Sequence, residues 1–149
     1  MKRILLLTIA IVFTGLLHAQ DQLSKNKKAV QQTVVKMFDA LSNRDSAGLK
    51  LYCAQDILLF ENGQVWNIDT LITKAILLNT AKDFKRTNSF DFINTEINTN
   101  TAWVSYNLRS DIIRNGNKGF AHWMETVVLV KEKNQWKIKV LHSTLIKRN

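Results

Sequence analysis

The chain has no proline, a single cysteine and only five glycines among its 149 residues. Because Cys53 has no second cysteine to pair with, no intrachain disulfide can form and stability must come from packing. The few glycines form no phosphate-binding loop, dinucleotide fingerprint or serine-nucleophile elbow. There is also no internal repeat, low-complexity tract or linker. These absences favour one packed domain and argue against the common nucleotide-binding and hydrolase motifs.

Metal and cofactor signatures are also missing from the sequence. The three histidines, His18, His122 and His142, do not have the spacing of a metal-ligand set. No activating base lies near Cys53 in the sequence, so we expect a small buried apolar residue there. We therefore predict no metal site and no cofactor.

The N-terminus has the pattern of a secretory signal peptide. Lys2 and Arg3 precede an apolar run from Ile4 to Leu17, and the small residue Ala19 follows. The run is shorter than the roughly 20 residues that a membrane helix needs. We predict that residues 1–19 are the signal peptide and that residues 20–149 form a single exported domain, periplasmic or secreted, with no stable membrane span. An uncleaved N-terminal anchor is the alternative.

The chain carries an excess of positive charge. Lys and Arg number 21 against 12 Asp and Glu, a formal charge of +9, which falls to +7 when Lys2 and Arg3 leave with the signal peptide. The cations are spread along the sequence, as is typical of a solvated surface, although a positive surface can also concentrate anionic ligands. No base-stacking motif is present, so we expect no nucleic-acid partner.

Helical periodicity is confined to the first half of the chain. The longest pattern, from Ser24 to about Arg44, predicts an amphipathic helix. Further helices are predicted over residues 46–52 and from Asp69 to about Ala81, with a brief strand over residues 57–60 and Trp66 in a loop. The apolar stripe of the long helix consists of Val30, Val34, Met37, Phe38 and Leu41.

From Phe84 onward, apolar and polar residues alternate as in long strands. Asn115-Gly116 suits the two central positions of a two-residue hairpin turn, where both residues need a positive φ. This turn places Arg114 opposite Asn117. A second turn at Lys133-Asn134 places Glu132 opposite Gln135, and only an odd-length loop would break that register. Helices followed by long antiparallel strands predict an α+β domain with a curved sheet covered by helices on one face.

The two turns predict which side chains share the inner face of the sheet. Three predicted rows are mostly apolar, and the fourth consists of Tyr106, Glu125 and His142, which makes it the candidate site. A weaker turn at residues 98–101 adds one more strand to this face. The apolar rows are Ala102 with Leu129 and Ile138, Val104 with Val127 and Val140, and Leu108 with Trp123 and Thr144; the added strand supplies Ile97, Thr95, Ile93 and Asp91.

Four segments together resemble a known family. They are Asn43-Arg44-Asp45 after the long helix, residues 56–63 (DILLFENG), residues 101–106 (TAWVSY) and residues 136–144 (WKIKVLHST). The chain resembles the nuclear transport factor 2-like superfamily, and within it the SnoaL-like, ketosteroid-isomerase-like proteins of bacterial envelopes. The resemblance implies a cone-shaped curved sheet wrapped around the N-terminal helices, with a pocket between them.

The resemblance also implies a homodimer through the outer face of the sheet. The lysines at 137 and 139 mark that face as the one turned to solvent, yet its apolar area is larger than a monomer usually exposes. Loops or the C-terminal tail covering it are the alternative. The apolar residues expected there are Trp103, Phe120, Met124, Val128, Leu141 and Leu145.

Isomerases of this superfamily use a carboxylate base with hydrogen-bond donors, and its dehydratases use His and Asp. No acid of this sequence aligns with the isomerase base itself, so the candidate base comes from the predicted row: Glu125, with His142 holding it and Tyr106 polarising a carbonyl. The alternative is a satisfied polar row that specifies strand register. Phe38, Phe60, Trp66 and Trp123 are candidates for the walls of the pocket, and ordinary core packing is the alternative for each.

Three functions are compatible with these patterns. We favour binding of a small apolar or amphiphilic molecule in a pocket that carries the Tyr106, Glu125 and His142 row. The first alternative is an isomerase or dehydratase-type enzyme that uses Glu125 and His142. The second is a structural dimerisation module with a filled cone.

Overall fold

The computed structural model describes residues 2–149 and the side chains of residues 22–149. The predicted signal peptide, residues 1–19, lies outside the residues whose side chains are described, so cleavage and export stay predictions. Among the described residues, we find no helix with the length and apolar character needed to cross a membrane.

Three helices precede most of the sheet. Helix α1 is Lys2–Ser42, α2 is Ser46–Tyr52 and α3 is Ile68–Ile72, which continues as a π-helical turn over Thr73–Leu77. Helix α2 has the predicted bounds, because Asp45 caps its N-terminus by accepting a hydrogen bond from Gly48 N at 2.9 Å. The third helical segment ends at Leu77, before the predicted end at Ala81. The five residues of the predicted stripe on α1 are all buried.

Six strands form one curved sheet. They are β1 (Cys53–Glu61), β2 (Gln64–Trp66), β3 (Lys85–Asn98), β4 (Thr101–Arg114), β5 (Asn117–Glu132) and β6 (Gln135–Arg148). The spatial order is β2-β1-β6-β5-β4-β3, with β1 and β6 parallel and the other neighbours antiparallel. Helix α1 lies against β3 and also contacts β4 and β6. This arrangement confirms the predicted α+β class, while Trp66 ends a short strand instead of lying in a loop.

The predicted hairpin between β4 and β5 is confirmed residue by residue. Asn115 and Gly116 have φ angles of 51° and 77°, and their backbone N–H groups both donate to the side chain of Asp83 at 2.7 Å. Because both turn residues have a positive φ, the turn has the twist that a two-residue hairpin requires. Arg114 therefore pairs with Asn117, and Tyr106 lies opposite Glu125 as predicted.

The register between β5 and β6 agrees with the prediction only near the turn. Lys133 and Asn134 form the expected two-residue loop with positive φ angles, and Leu129 pairs with Ile138. A β-bulge then inserts Lys139, so that Val128 pairs with Val140. Because successive side chains of a strand point to opposite faces, one inserted residue exchanges the faces of everything beyond it.

The bulge at Lys139 overturns three of the predicted rows. Ser143 takes the place opposite Glu125 that was predicted for His142, and His142 lies opposite Thr126 on the outer face. Leu141, predicted on the outer face, is buried opposite Val127, where Val140 was expected. The row of Leu108 and Trp123 ends in Leu145 instead of Thr144.

A corresponding bulge interrupts β3. Ile97 and Thr95 lie opposite Ala102 and Val104, as predicted, but Ile93 is inserted into the strand and is 57% exposed. From there towards the start of β3 the faces are exchanged. Phe92 takes the inner position opposite Tyr106 that was predicted for Ile93, and Asp91 faces outward opposite Asn107. Because bulges bend and twist the strands that contain them, they help the sheet to curl around α1.

Candidate functional site

A cavity of about 280 Å³ lies between α1, the third helical segment and the inner face of the sheet. Its walls are mostly apolar, as is usual for small-molecule sites. The apolar lining residues are Met37, Phe38, Leu41, Leu59, Trp66, Leu71, Ala75, Trp123 and Leu141; the polar ones are Glu61, Asn62, Arg86, Glu125 and Arg148.

Glu125 is the buried carboxyl of this cavity, with 4% of its surface exposed. Strand β5 directs it inward, and Ser143 Oγ donates a hydrogen bond to its Oε1 at 2.8 Å. The other oxygen, Oε2, has no hydrogen-bond partner among the described residues. Burial raises the pKa of Glu125 from 4.5 to about 7, although the nearby hydroxyls and the positive charge of Arg86 act in the opposite direction. Both protonation states are therefore populated near neutral pH.

Tyr106 lies beside Glu125 on the neighbouring strand and is fully buried. Its ring packs in an aromatic cluster, with ring centroids 6.4 Å from Phe38, 5.7 Å from Phe90 and 5.8 Å from Phe92. Its hydroxyl forms no hydrogen bond of ordinary geometry with the described residues. It is nevertheless close enough to Glu125 for each group to change the pKa of the other. Burial, followed by the negative charge of Glu125, raises the pKa of Tyr106 well above 10. Tyr106 is thus a neutral hydroxyl donor under ordinary conditions.

Arg86 is the functional candidate that the sequence did not reveal. Its side chain is half-buried, and desolvation lowers its pKa to about 10, so the guanidinium stays charged at neutral pH. The guanidinium lies 5.5 Å from the ring centroid of Phe38 and 5.4 Å from that of Trp123, within the range of cation–π attraction. The predicted register placed the odd-numbered residues of this part of β3 inside; the bulge at Ile93 places the even-numbered ones there. No local signal in the sequence marks that bulge.

A hydrogen-bond network holds Arg86 in place. Its Nε donates to Asn88 Oδ1 at 2.9 Å and to Ser110 Oγ at 3.0 Å. Ser110 Oγ in turn donates to Asn88 Oδ1 at 2.7 Å, and Asn88 Nδ2 donates to Ser42 Oγ of α1 at 2.8 Å. The two Nη groups take part in none of these bonds, so the network orients the guanidinium and leaves its outer edge available.

Two of the residues predicted for the site lie on the other side of the sheet. Phe60 of β1 pairs with His142 of β6 on the outer face, where their ring centroids are 6.1 Å apart. The bulge at Lys139 accounts for His142. Phe60 faces outward because Leu59 and Glu61, its neighbours on β1, are the ones that line the cavity. Neither Phe60 nor His142 can contribute to this cavity.

The other predicted residues are brought together. Phe38, Trp66, Trp123 and Glu125 line the cavity, and Tyr106 lies immediately behind Glu125.

Among the residues with described side chains, no three His, Cys, Asp or Glu come together as a metal-ligand group. Cys53 is buried, and burial raises its pKa to about 12, which leaves it an unreactive thiol.

A larger, open depression of about 550 Å³ adjoins the cavity and shares Arg86, Trp123 and Arg148 with it. Arg114 and Lys118 also line this depression, so four cations surround it. Although it is the larger space, no Asp or Glu among the described residues lines it. We therefore take the smaller cavity as the candidate site and the basic depression as its mouth.

Residues 30–146 match the SnoaL-like domain family. The chain belongs to this family. No curated protein matches it at a significant level.

Solved structures agree on the fold. A putative scytalone dehydratase from Novosphingobium aromaticivorans has a TM-score of 0.72 and 13% identity, with 87% of this chain and 90% of that chain covered. A ketosteroid isomerase-like protein from Erwinia carotovora atroseptica has a TM-score of 0.66 and 13% identity, covering 81% and 96%. A nuclear transport factor 2-like protein from Cytophaga hutchinsonii has a TM-score of 0.64 and 18% identity, covering 80% and 97%. At these identities the likeness establishes the nuclear transport factor 2-like fold and nothing further.

Proposed function

We propose that this SnoaL-like protein is exported and binds a small, largely apolar molecule in the cavity that contains Glu125. The observation that carries the proposal is a mostly apolar cavity lined by the buried carboxyl of Glu125, whose Oε2 has no hydrogen bond of ordinary geometry although the Tyr106 hydroxyl lies beside it. A buried polar atom without a hydrogen bond costs about 1–3 kcal/mol, and native proteins rarely leave one unsatisfied. A ligand with a polar group at this end would provide the missing partner.

The test is binding of the neutral fluorescent probe N-phenyl-1-naphthylamine to the purified protein. Ala75 lines the cavity, so Ala75→Phe should reduce the space available to the probe. Binding should weaken at least about tenfold, because the aromatic rings of the probe lose apolar contacts with the cavity walls. Val65 is 61% exposed and outside the cavity, so Val65→Phe is the matched control and should bind as the unaltered protein does. Equal binding by both variants would place the probe elsewhere and contradict the proposal.

Export is tested separately. The full chain expressed in a bacterial host should be recovered outside the cytoplasm with its N-terminus at Gln20, whereas a chain starting at Gln20 should stay in the cytoplasm. Recovery of the full-length chain with an intact N-terminus would contradict cleavage after Ala19.

A second candidate is an enzyme of the isomerase or dehydratase type, which the pKa of Glu125 near 7 favours. A carboxyl with that pKa can both take and return a proton near neutral pH, and the Tyr106 hydroxyl could polarise a substrate carbonyl. His142 has no place in such a mechanism, since it lies on the outer face. Exchange of the α-protons of cyclic ketones in D₂O, followed by NMR, should be lost in Glu125→Gln if this candidate is right. An undiminished rate in that variant would exclude Glu125 as the base.

The outer face supports a proposed homodimer. Leu58, Trp103 and Met124 are between 42% and 49% exposed, and the less exposed Val128 and Val140 connect Leu58 to Trp103 across the sheet. Trp103→Arg should shift the protein to monomer in sedimentation velocity, whereas Leu78→Arg, at an exposed position on the helical side, should not. A monomer at every concentration of the unaltered protein would contradict the dimer.

The cavity is evidence against a purely structural module, because that alternative requires the space between the helices and the sheet to be filled.

A further inference from the structure

Arg86 is a half-buried cation that the acidic side chains of Glu61 and Glu125 influence only through space. Among the described residues it forms no ion pair, and both of its hydrogen bonds with them leave from Nε towards neutral groups. Buried charges in proteins are normally paired, because removing a lone charge from water is costly. The network of Ser42, Asn88 and Ser110 instead engages Nε alone, and Arg86 lines both the cavity and its mouth.

We propose that the cavity binds an apolar monocarboxylic acid, with the Nη groups of Arg86 holding the ligand carboxylate and the carboxyl of Glu125 lying beside it. This inference rests on the proposed function and adds the chemical class of the ligand. The planar fork of an arginine matches the two oxygens of a carboxylate. Phe38 and Trp123 flank the guanidinium, so the apolar body of the ligand would pack against their rings.

The charges lining the cavity favour a carboxylate over a phosphate, because Arg86 and Arg148 together with Glu61 leave a net charge of +1 (two cations minus one anion) when Glu125 is protonated. A phosphate monoester carries up to two charges at neutral pH, and one of them would remain uncompensated inside an apolar cavity. The other two cations of the mouth, Arg114 and Lys118, line only the open depression. There they attract an anion from solution without having to neutralise it in the bound state.

The protonation state of Glu125 decides whether the site accepts an anion. The charged and titratable groups facing Glu125 are Arg86 from β3, Tyr106 from β4 and Glu61 from β1, and Arg148 of β6 also lines the cavity. Helix α1 contributes only Met37, Phe38 and Leu41. A protonated Glu125 can donate a hydrogen bond from its unpartnered oxygen to the ligand carboxylate, whereas an ionised Glu125 repels it. Affinity should therefore fall as the pH rises through about 7.

The experiment compares 1-naphthaleneacetic acid with its neutral isostere 1-naphthaleneacetamide by calorimetric titration of the purified protein. At about pH 6 the acid should bind at least about tenfold more tightly than the amide, as expected for one charge-assisted bidentate contact. Arg86→Met should remove this preference and still bind the amide, which also shows that the variant is folded. Lys82→Met, at an exposed position that lines neither the cavity nor its mouth, is the matched control and should keep the preference.

The pH profile provides a test that needs no change at Arg86. The affinity of the unaltered protein for the acid should fall between about pH 6 and about pH 8, and that of Glu125→Gln should stay constant, because glutamine cannot ionise. Equal affinity for acid and amide, or a preference that survives in Arg86→Met, would overturn the proposal. If neither compound binds but N-phenyl-1-naphthylamine does, the carboxylate proposal alone fails; if that probe also fails to bind, the proposed function fails with it.

Discussion

Burial of Glu125 should make the protein less stable as the pH rises, opposite to the effect of most carboxylates. The perturbation is Glu125→Gln, which keeps an oxygen that can accept the hydrogen bond from Ser143 and cannot ionise. Asp56 and Asp83 have lowered pKa values because of their hydrogen bonds with Lys139 and with the turn amides, and both groups stabilise the fold as the pH rises. The difference between the two proteins isolates the contribution of Glu125 from these.

The sign and size of the effect follow from the two pKa values. Below 4.5 the carboxyl is protonated in both the folded and the unfolded chain and has no pH-dependent effect. Between 4.5 and about 7 the unfolded chain releases the proton while the folded chain retains it, so the free energy of unfolding decreases as the pH rises. Above about 7 the loss is complete, and its magnitude is about 3 kcal/mol for this difference in pKa.

Urea unfolding followed by tryptophan fluorescence measures the effect. Between about pH 5 and about pH 8.5, the unfolding free energy of Glu125→Gln should rise relative to that of the unaltered protein by about 2–3 kcal/mol. Only the change of this difference with pH tests the raised pKa; its value at any single pH also contains the other effects of the substitution. A difference that stays constant within about 0.5 kcal/mol over this range would refute the assignment of Glu125 as a buried carboxyl with a raised pKa.

Three further predictions concern stability and use the same urea assay. Leu108 is fully buried, so Leu108→Ala should lower the free energy of unfolding by about 3 kcal/mol. The control Val65→Ala, at an exposed strand position, should change it by less than about 0.5 kcal/mol, and equal losses would contradict the described core. Gly116→Ala should lower the free energy of unfolding by about 1 kcal/mol through backbone strain alone, because φ is 77° and no atom lies within 4 Å of an added Cβ. An unchanged urea midpoint would argue against the positive φ. Asp45→Ala should lower the free energy of unfolding by about 1 kcal/mol, because it removes the cap of α2, whereas Asp45→Asn should keep most of that stability. Equal losses in both variants would exclude the cap.

Features that depend on neighbouring residues could be predicted from the sequence. Asn115-Gly116 specifies a two-residue turn because both positions need a positive φ, and that turn alone determines that Tyr106 pairs with Glu125. The spacing of Val30, Val34 and the other stripe residues likewise identifies the buried face of α1. The α+β class and the family followed from the order of these elements and from short segments near the turns.

The composition of the site depended on two bulged residues, Ile93 and Lys139, and the sequence does not mark them. Each inserts one residue into a strand, and because the side-chain period of a strand is two, each exchanges the faces beyond it. The bulge at Lys139 moved His142 out of the site, and the bulge at Ile93 brought Arg86 in. The turns, the buried helix face and the Tyr106–Glu125 pair could thus be predicted from the sequence, because their causes lie within a few residues. The positions of the bulges could not, because they depend on bending the sheet around α1 and on pairing β6 with β1, which bring together segments that are distant in the chain.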